Sequence, residues 1–296
     1  MTTLQAIIIA IVEGITEFLP ISSTAHMKFT NPLIGVDGNS PFAEMFEVII
    51  QLAAILSVVL VYRKKFFDFK HFSFYIKLLV AVMPALVVGA LLKKHIDAAL
   101  SNLIFIACIM IAGGVVLLFI DKWMNKTTLD NEAEITYPKA FTIGCFQVLS
   151  IIFPGLSRSA STIIGGMQQK LTRRLAAEFS FFLAVPTMFA ASVKSFLDAM
   201  KENYLVAHNI TEEQAKSMHL SMTHDIFGSE NFHSLFNHHN LVVFIIGCLI
   251  SFFIALIAVK TFINYLSKHG FRVFGIYRII IGAVMLGLIF GMHLGQ

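Results

Sequence analysis

"VEGITEFLPISSTAHM", residues 12–27, lies in the first apolar stretch of the chain. It carries two glutamates four residues apart, a proline, three consecutive hydroxyls and a histidine. An α-helix that meets Pro20 loses a backbone donor and breaks. Polar side chains follow the break, so the stretch reads as two half-helices joined by a loop rather than one uninterrupted span. A second stretch, "FPGLSRSAST" at 153–162, repeats the design inside the apolar segment 140–167, with Pro154 at its break. Free backbone groups at mid-depth are tolerated only where protein or a water-filled cavity surrounds them. Residues 4–28 and 140–167 are therefore expected to be re-entrant hairpins.

The rest of the chain sets the surroundings. It is 57% hydrophobic and 14% charged, with a mean hydropathy of +0.78. Apolar runs long enough for a ~30 Å hydrocarbon core fall at about 44–62, 76–92, 103–120, 175–196, 241–260 and 273–292. The fold class expected is an all-α polytopic membrane protein, one integral domain over 1–296. The start does not read as a cleavable signal, since no basic residue precedes the apolar run and Glu13 and Glu17 interrupt it. Cys108, Cys145 and Cys248 lack metal-ligand spacing and read as buried small hydrophobes. The phenylalanine surplus reads as lipid-facing packing, and Gly113–Gly114 and Gly165–Gly166 as sites of close helix contact.

Charge placement supports the hairpins. Arg63, Lys64, Lys65, Lys70 and Lys77 follow the first full span, Lys170, Arg173 and Arg174 follow the second hairpin, and Lys260, Lys268, Arg272 and Arg278 separate the last two spans. If both hairpins are re-entrant, the three clusters share one side, the cytoplasm by the positive-inside rule. A polar loop of about 198–240 then lies outside. It carries Asp198, Glu202, Glu212, Glu213, Asp225 and Glu230 against Lys201 and Lys216. Its six histidines, among them His208, His219, His224 and His239, read as solvated. Aligning Pro20 with Pro154 pairs Thr16 with Ser150 and Ser23 with Ser157, and "FEVIIQLAA" (46–54) resembles "AEFSFFLAV" (177–185). Each half, about 1–122 and 138–296, would hold one hairpin and three spans. Three is odd, so the second copy would be inverted, and the two broken helices would meet near the midplane.

The converging residues suggest chemistry. Glu13 and Glu17 share one helix face and would repel an anion unless a divalent cation lies between, or one of them acts as a base. Ser22, Ser23 and Thr24 are candidate N-caps or nucleophiles, and His26 can move protons near neutral pH. Arg158, the one basic residue in the core of the second hairpin, needs an anionic partner. That is Glu13 or Glu17, or else an oxyanion, with Ser157, Ser159 and Thr162 around it. Carboxylates, hydroxyls, an imidazole and a guanidinium make up an inventory for phosphoryl transfer to or from a lipid. A lipid-phosphate transporter or flippase would need the same binding charge, though not the hydroxyl cluster beside the glutamates.

"EGITEFLPISSTAH" (13–26) together with "PGLSRSAST" (154–162) resembles the undecaprenyl-diphosphate phosphatase family, the bacitracin-resistance type of integral-membrane phosphatase. "FEVIIQLAAIL" and the Tyr277–Arg278 pair are similar to the same family. The resemblance implies hydrolysis of undecaprenyl diphosphate to undecaprenyl phosphate, which recycles the carrier for peptidoglycan and other envelope polymers. It implies Glu13, Glu17, Ser22, Ser23, Thr24 and His26 in the first motif, and Ser157, Arg158, Ser159 and Thr162 in the second. Glu13, Glu17, Ser23, His26 and Arg158 are the expected catalytic set, with Ser23, His26 or water as nucleophile. Glu13 and Glu17 are the expected ligands of a divalent cation, Mg2+ or Ca2+. The implied site opens to the outer face of the bacterial cytoplasmic membrane. The partners expected are the polyprenyl diphosphate and membrane lipids, with no nucleic acid and room for a homo-oligomer. Ala25 and Ala160 stand where the family usually has glycine, so both positions are expected to be helical here.

Overall fold

The computed structural model describes residues 1–38, 40–68, 72–124, 127–211, 213–214 and 226–292. Thirteen α-helices are found among them. They are α1 (Thr3–Thr16), α2 (Ser23–Leu33), α3 (Pro41–Val61), α4 (Arg63–Phe66), α5 (Phe72–Leu91), α6 (Lys93–Ser101), α7 (Leu103–Trp123), α8 (Tyr137–Ile152), α9 (Arg158–Gln168), α10 (Arg173–His208), α11 (Ser229–Leu235), α12 (His238–His269) and α13 (Arg272–Met292). Six of these, α3, α5, α7, α10, α12 and α13, are long and apolar enough to cross a membrane, at the six expected places. The chain is a multi-pass helical membrane protein. Both breaks are also observed: α1 stops at Thr16 before Pro20, and α8 at Ile152 before Pro154.

Packing brings the breaks together. α3 and α10 lie against each other, α1 packs on α12, α8 on α5, and α7 on α13. Glycine permits the closest of these approaches. A methyl at Gly114 would come 2.9 Å from the Gly275 carbonyl oxygen, and one at Gly275 would come 2.8 Å from that of Gly114. A methyl at Gly144 would collide with the Ala81 carbonyl, and one at Gly165 with the Phe146 ring. The glycine pairs thus serve the expected contact. Glu47 and Glu178, matched between the halves in sequence, are both buried and both ion-paired. Glu47 takes Lys28 at 3.1 Å and the Asn31 amide, while Glu178 takes Arg174 at 3.0 Å.

Several expectations need correction. Lys77 and Arg278 are not loop residues: they lie within α5 and α13, and both are buried. Lys260 lies within α12. The other basic segments do gather at one end, where Lys65 reaches Glu178 at 3.7 Å and Arg173 reaches Asp121 at 2.8 Å. Asp121 also accepts the Phe271 N–H. The segment 198–240 is not simply a solvated loop. α10 continues through it to His208, and Ile226, Asn231 and Leu235 are buried. Ile226 and Leu235 join a core cluster with Phe42, Met200 and Val243. Glu212, Lys216, His219, His224 and Asp225 lie outside the described residues, as does Lys70. Cys108 and Cys145 are exposed rather than buried. The phenylalanines divide: Phe18, Phe46, Phe179, Phe181, Phe182 and Phe271 fill the core, whereas Phe119, Phe141, Phe189, Phe253 and Phe290 are exposed on the outer surface of the helices.

Replacing Gly144 with valine should destabilise the α5–α8 contact by about 1–3 kcal/mol through overpacking. Gly89→Ala, where the added methyl meets no atom within 4 Å, should leave the protein at least as stable. Thermal unfolding of both variants in one detergent checks the contrast.

Candidate active site

The two breaks are built alike. Ser22 caps α2 with φ 70°, and its hydroxyl accepts the Ala25 N–H at 3.3 Å. Ser157 caps α9 with φ 76°, and its hydroxyl accepts the Ala160 N–H, also at 3.3 Å. A positive φ is costly for a residue with a side chain, ~1–3 kcal/mol, and such strain concentrates at functional sites. Ala25 and Ala160 are helical, as expected, and stand third in their helices. The register differs by one from the proline alignment: Ser22, not Ser23, corresponds to Ser157. Ser23 therefore corresponds to Arg158. Ser22 stands two residues after Pro20 and Ser157 three after Pro154, which accounts for the slip.

These two matched positions meet on one carboxylate. Arg158 Nη2 donates to Glu17 Oε1 at 2.6 Å, and Ser23 Oγ donates to Glu17 Oε2 at 2.5 Å. Glu17 and Ser23 are buried. Arg158 Nη1 also reaches the Ser180 carbonyl at 3.4 Å. Glu13, one turn earlier and wholly buried, lies within electrostatic reach of Glu17, Ser23 and Arg158. Neither of its oxygens has a partner in hydrogen-bond geometry. A buried carboxyl group without a donor must either stay neutral or gain a counterpart such as a cation.

The other expected residues sort by their partners. Ser159 Oγ donates to the Leu19 carbonyl at 3.0 Å and lies 3.0 Å from Ser157 Oγ, joining the second motif to the first loop. Thr162 is committed to helix packing, through the Arg158 carbonyl at 2.9 Å and Ser180 Oγ at 2.5 Å. Thr24 is half-buried and takes no part in these hydrogen bonds. His26 is held away from Ser23. Its Nδ1 donates to the Ser22 carbonyl at 2.7 Å, which leaves Nε2 to accept from Tyr277 Oη at 2.9 Å. The two rings stack with 5.7 Å between centroids.

One residue missing from the expected site organises it. Arg278 is fully buried, and its guanidinium donates to Pro20 O at 3.1 Å, Leu156 O at 2.7 Å, Gly155 O at 2.8 Å and Met110 O at 3.1 Å. Both loops thus hang on a single side chain from the last helix. Gly113 leaves the guanidinium its space, since a Cβ there would overlap it. Gly155, at φ +98°, lies where a side chain would strike the Ile106 carbonyl. The sequence signal was a second arginine in an apolar run, masked by its nearness to a basic turn.

A family model described as bacitracin resistance protein BacA matches residues 6–284. The chain belongs to the BacA family. It is 46% identical over 293 residues to a protein of Flavobacterium psychrophilum named undecaprenyl-diphosphatase, covering 99% of this chain and 98% of that one. Proteins with the same name from Flavobacterium johnsoniae and Aquifex aeolicus are 44% and 39% identical, covering 99% and 96% of this chain and 98% and 97% of theirs. The family match spans both breaks and Arg278.

Among the described residues no three His, Cys, Asp or Glu side chains are grouped to enclose a metal. Glu13 and Glu17 are hard oxygen donors of the kind that Mg2+ and Ca2+ prefer, and the partnerless oxygens of Glu13 fit such an ion.

In this BacA protein, Arg278→Met should strip donors from four carbonyls, at ~1–3 kcal/mol for each one left buried and unpaired. Arg278→Lys can restore only part of the fork. The expected order of thermal stability in detergent is wild type, then Lys, then Met, with activity falling in the same order.

Proposed function

We propose that this chain is a phosphatase that hydrolyses undecaprenyl diphosphate to undecaprenyl phosphate and inorganic phosphate. It would thereby recycle the lipid carrier for envelope polymers and contribute to bacitracin resistance. The observation that carries the reading is the single carboxylate of Glu17, bonded at one oxygen to the Ser23 hydroxyl and at the other to Arg158. A hydroxyl on a buried base, with a guanidinium alongside, is what attack at phosphorus requires. A transporter has no use for the first of these contacts. The relatives' common name points the same way.

In this reading Ser23 Oγ attacks the terminal phosphorus and gives its proton to Glu17. The bond from phosphorus to the bridging oxygen breaks, and undecaprenyl phosphate leaves as an anion that needs no proton. Glu17 gives up that proton to solvent before the second step. Water then attacks the phosphoserine phosphorus, while Glu17 takes a proton from the water and passes one to the departing Ser23 Oγ. Inorganic phosphate leaves and the serine hydroxyl is restored. Arg158 turns its donors from Glu17 to the phosphate oxygens, and the capped N-terminus of α9 adds its favourable field for an anion. Glu13 and Glu17 would hold a divalent cation, which when bound neutralises charge on the diphosphate. His26 and Tyr277 form the rim rather than the reacting centre.

The same reading gives the chain an inverted repeat, with halves of about 1–122 and 138–296, in the bacterial cytoplasmic membrane. Support comes from the matching caps at Ser22 and Ser157, the reciprocal packing of α1 on α12 and α8 on α5, and the basic residues gathered at one end. The site would open to the outer side.

Phosphate release from undecaprenyl diphosphate in detergent tests the proposal. Ser23→Ala, Glu17→Gln and Arg158→Ala should each reduce turnover by about 10²–10³, and a chelator should reduce it reversibly. Unchanged turnover in Ser23→Ala would return the nucleophile to water or His26. No phosphate release by the wild type would leave lipid transport as the better reading.

A further inference from the structure

A concavity of about 530 Å³ lies at the end of the molecule where the basic segments gather. It is bounded by the end of α3, the single turn α4 and the side of α12. Its cations are Arg63, Lys64, Lys65 and Lys260, its apolar wall includes Leu60 and Leu256, and no acidic residue lines it. Lys65 is committed to Glu132 and Glu178. Arg63, Lys64 and Lys260 are exposed and, among the described residues, have no acidic partner.

The apolar surface below has a direction. On α3, Leu56 and Leu60 are exposed one turn apart, and Lys64 follows one turn later. On α12, Phe253 and Ile257 are exposed one turn apart, and Lys260 follows. Two lipid-facing stripes therefore lead to the same group of unpaired cations. An acyl chain lying on either stripe would carry its headgroup into the cleft. A zwitterionic headgroup would bring a positive charge into a place already holding three, whereas an anionic one would bring the missing counter-charge. We propose that this cleft is a binding site for an anionic glycerophospholipid, its phosphate held by Arg63, Lys64 and Lys260. The site is separate from Glu17, Ser23 and Arg158 and does not depend on the phosphatase reading.

Native mass spectrometry of the full-length protein reads the proposal. The protein is exchanged into mixed micelles holding equal phosphatidylglycerol and phosphatidylcholine. The wild type should retain phosphatidylglycerol at least tenfold over phosphatidylcholine, and Lys64→Gln/Lys260→Gln should lose most of that preference. Arg63→Gln alone should lose part of it. Equal retention of both lipids by the wild type, or a preference untouched by the double variant, would overturn the site. Two competitors separate the sources of the phosphate. Excess inorganic phosphate should leave the lipid in place, and displacement by it would reduce the cleft to a simple anion site. Undecaprenyl phosphate should compete no better than its mole fraction predicts, and stronger displacement would hand the site to the polyprenyl lipid. Thermal unfolding of the double variant in detergent should match that of the wild type, which shows that the variant is folded.

Discussion

A helix that stops inside a membrane protein leaves carbonyl oxygens with no water to bond. This chain has two such stops, and their carbonyls are answered by one guanidinium. Arg278 bonds four main-chain oxygens, three of them in the two broken loops. Charge-assisted hydrogen bonds of this sort contribute ~1.5–3 kcal/mol each. Only arginine offers enough donors in a fixed planar fork to reach so many acceptors at once. Because both loops are tied to the same atoms, the separation of Glu17 from Arg158 is set by a residue that touches neither. Gly113 is part of the same device, since its missing side chain is the guanidinium's space.

How much of this can be read from the sequence depends on how local the signal is. The six long helices are visible as apolar runs, and both breaks as prolines followed by hydroxyls. Glu17 and Arg158 could be singled out because ionised groups in apolar segments need partners. Arg278 could not, because its partners are carbonyls more than 120 residues away and it stands two turns from a basic loop. Lys77 is masked in a similar way, by the basic cluster before it and by a carbonyl partner, that of Glu132, 55 residues on. The segment after residue 197 looked like a loop because Asp198, Lys201 and Glu202 are charged. They belong to a helix of 36 residues, about 54 Å long at 1.5 Å per residue. That exceeds a ~30 Å hydrocarbon core, so its last turns can carry charge on one face and bury Ala199, Met200 and Leu205 on another.

The one-residue slip between the two motifs has a chemical meaning. Aligned by prolines, the motifs pair serine with serine and suggest two equivalent hydroxyls. Aligned by their strained caps, they pair Ser23 with Arg158. The same structural position, first in a helix after a serine at positive φ, holds a hydroxyl in one motif and a cation in the other. Likeness of backbone and unlikeness of side chain together make a site in which two related turns do different work.

The Glu17–Arg158 pair gives that site a resting state. Both groups are largely shielded from water, and an uncompensated charge there would cost several kcal/mol. In the proposed reaction a phosphate exchanges for the carboxylate on the guanidinium, so Arg158 stays compensated throughout. Glu17 is released from Arg158 at that moment while still bonded to Ser23. Arrival of the substrate and activation of the nucleophile are then one event. A ligand without a phosphate has nothing to offer Arg158 in exchange, and leaves Glu17 held and Ser23 unactivated. Selectivity for phosphorylated lipids would on this account reside in the ion pair itself, whatever the tail.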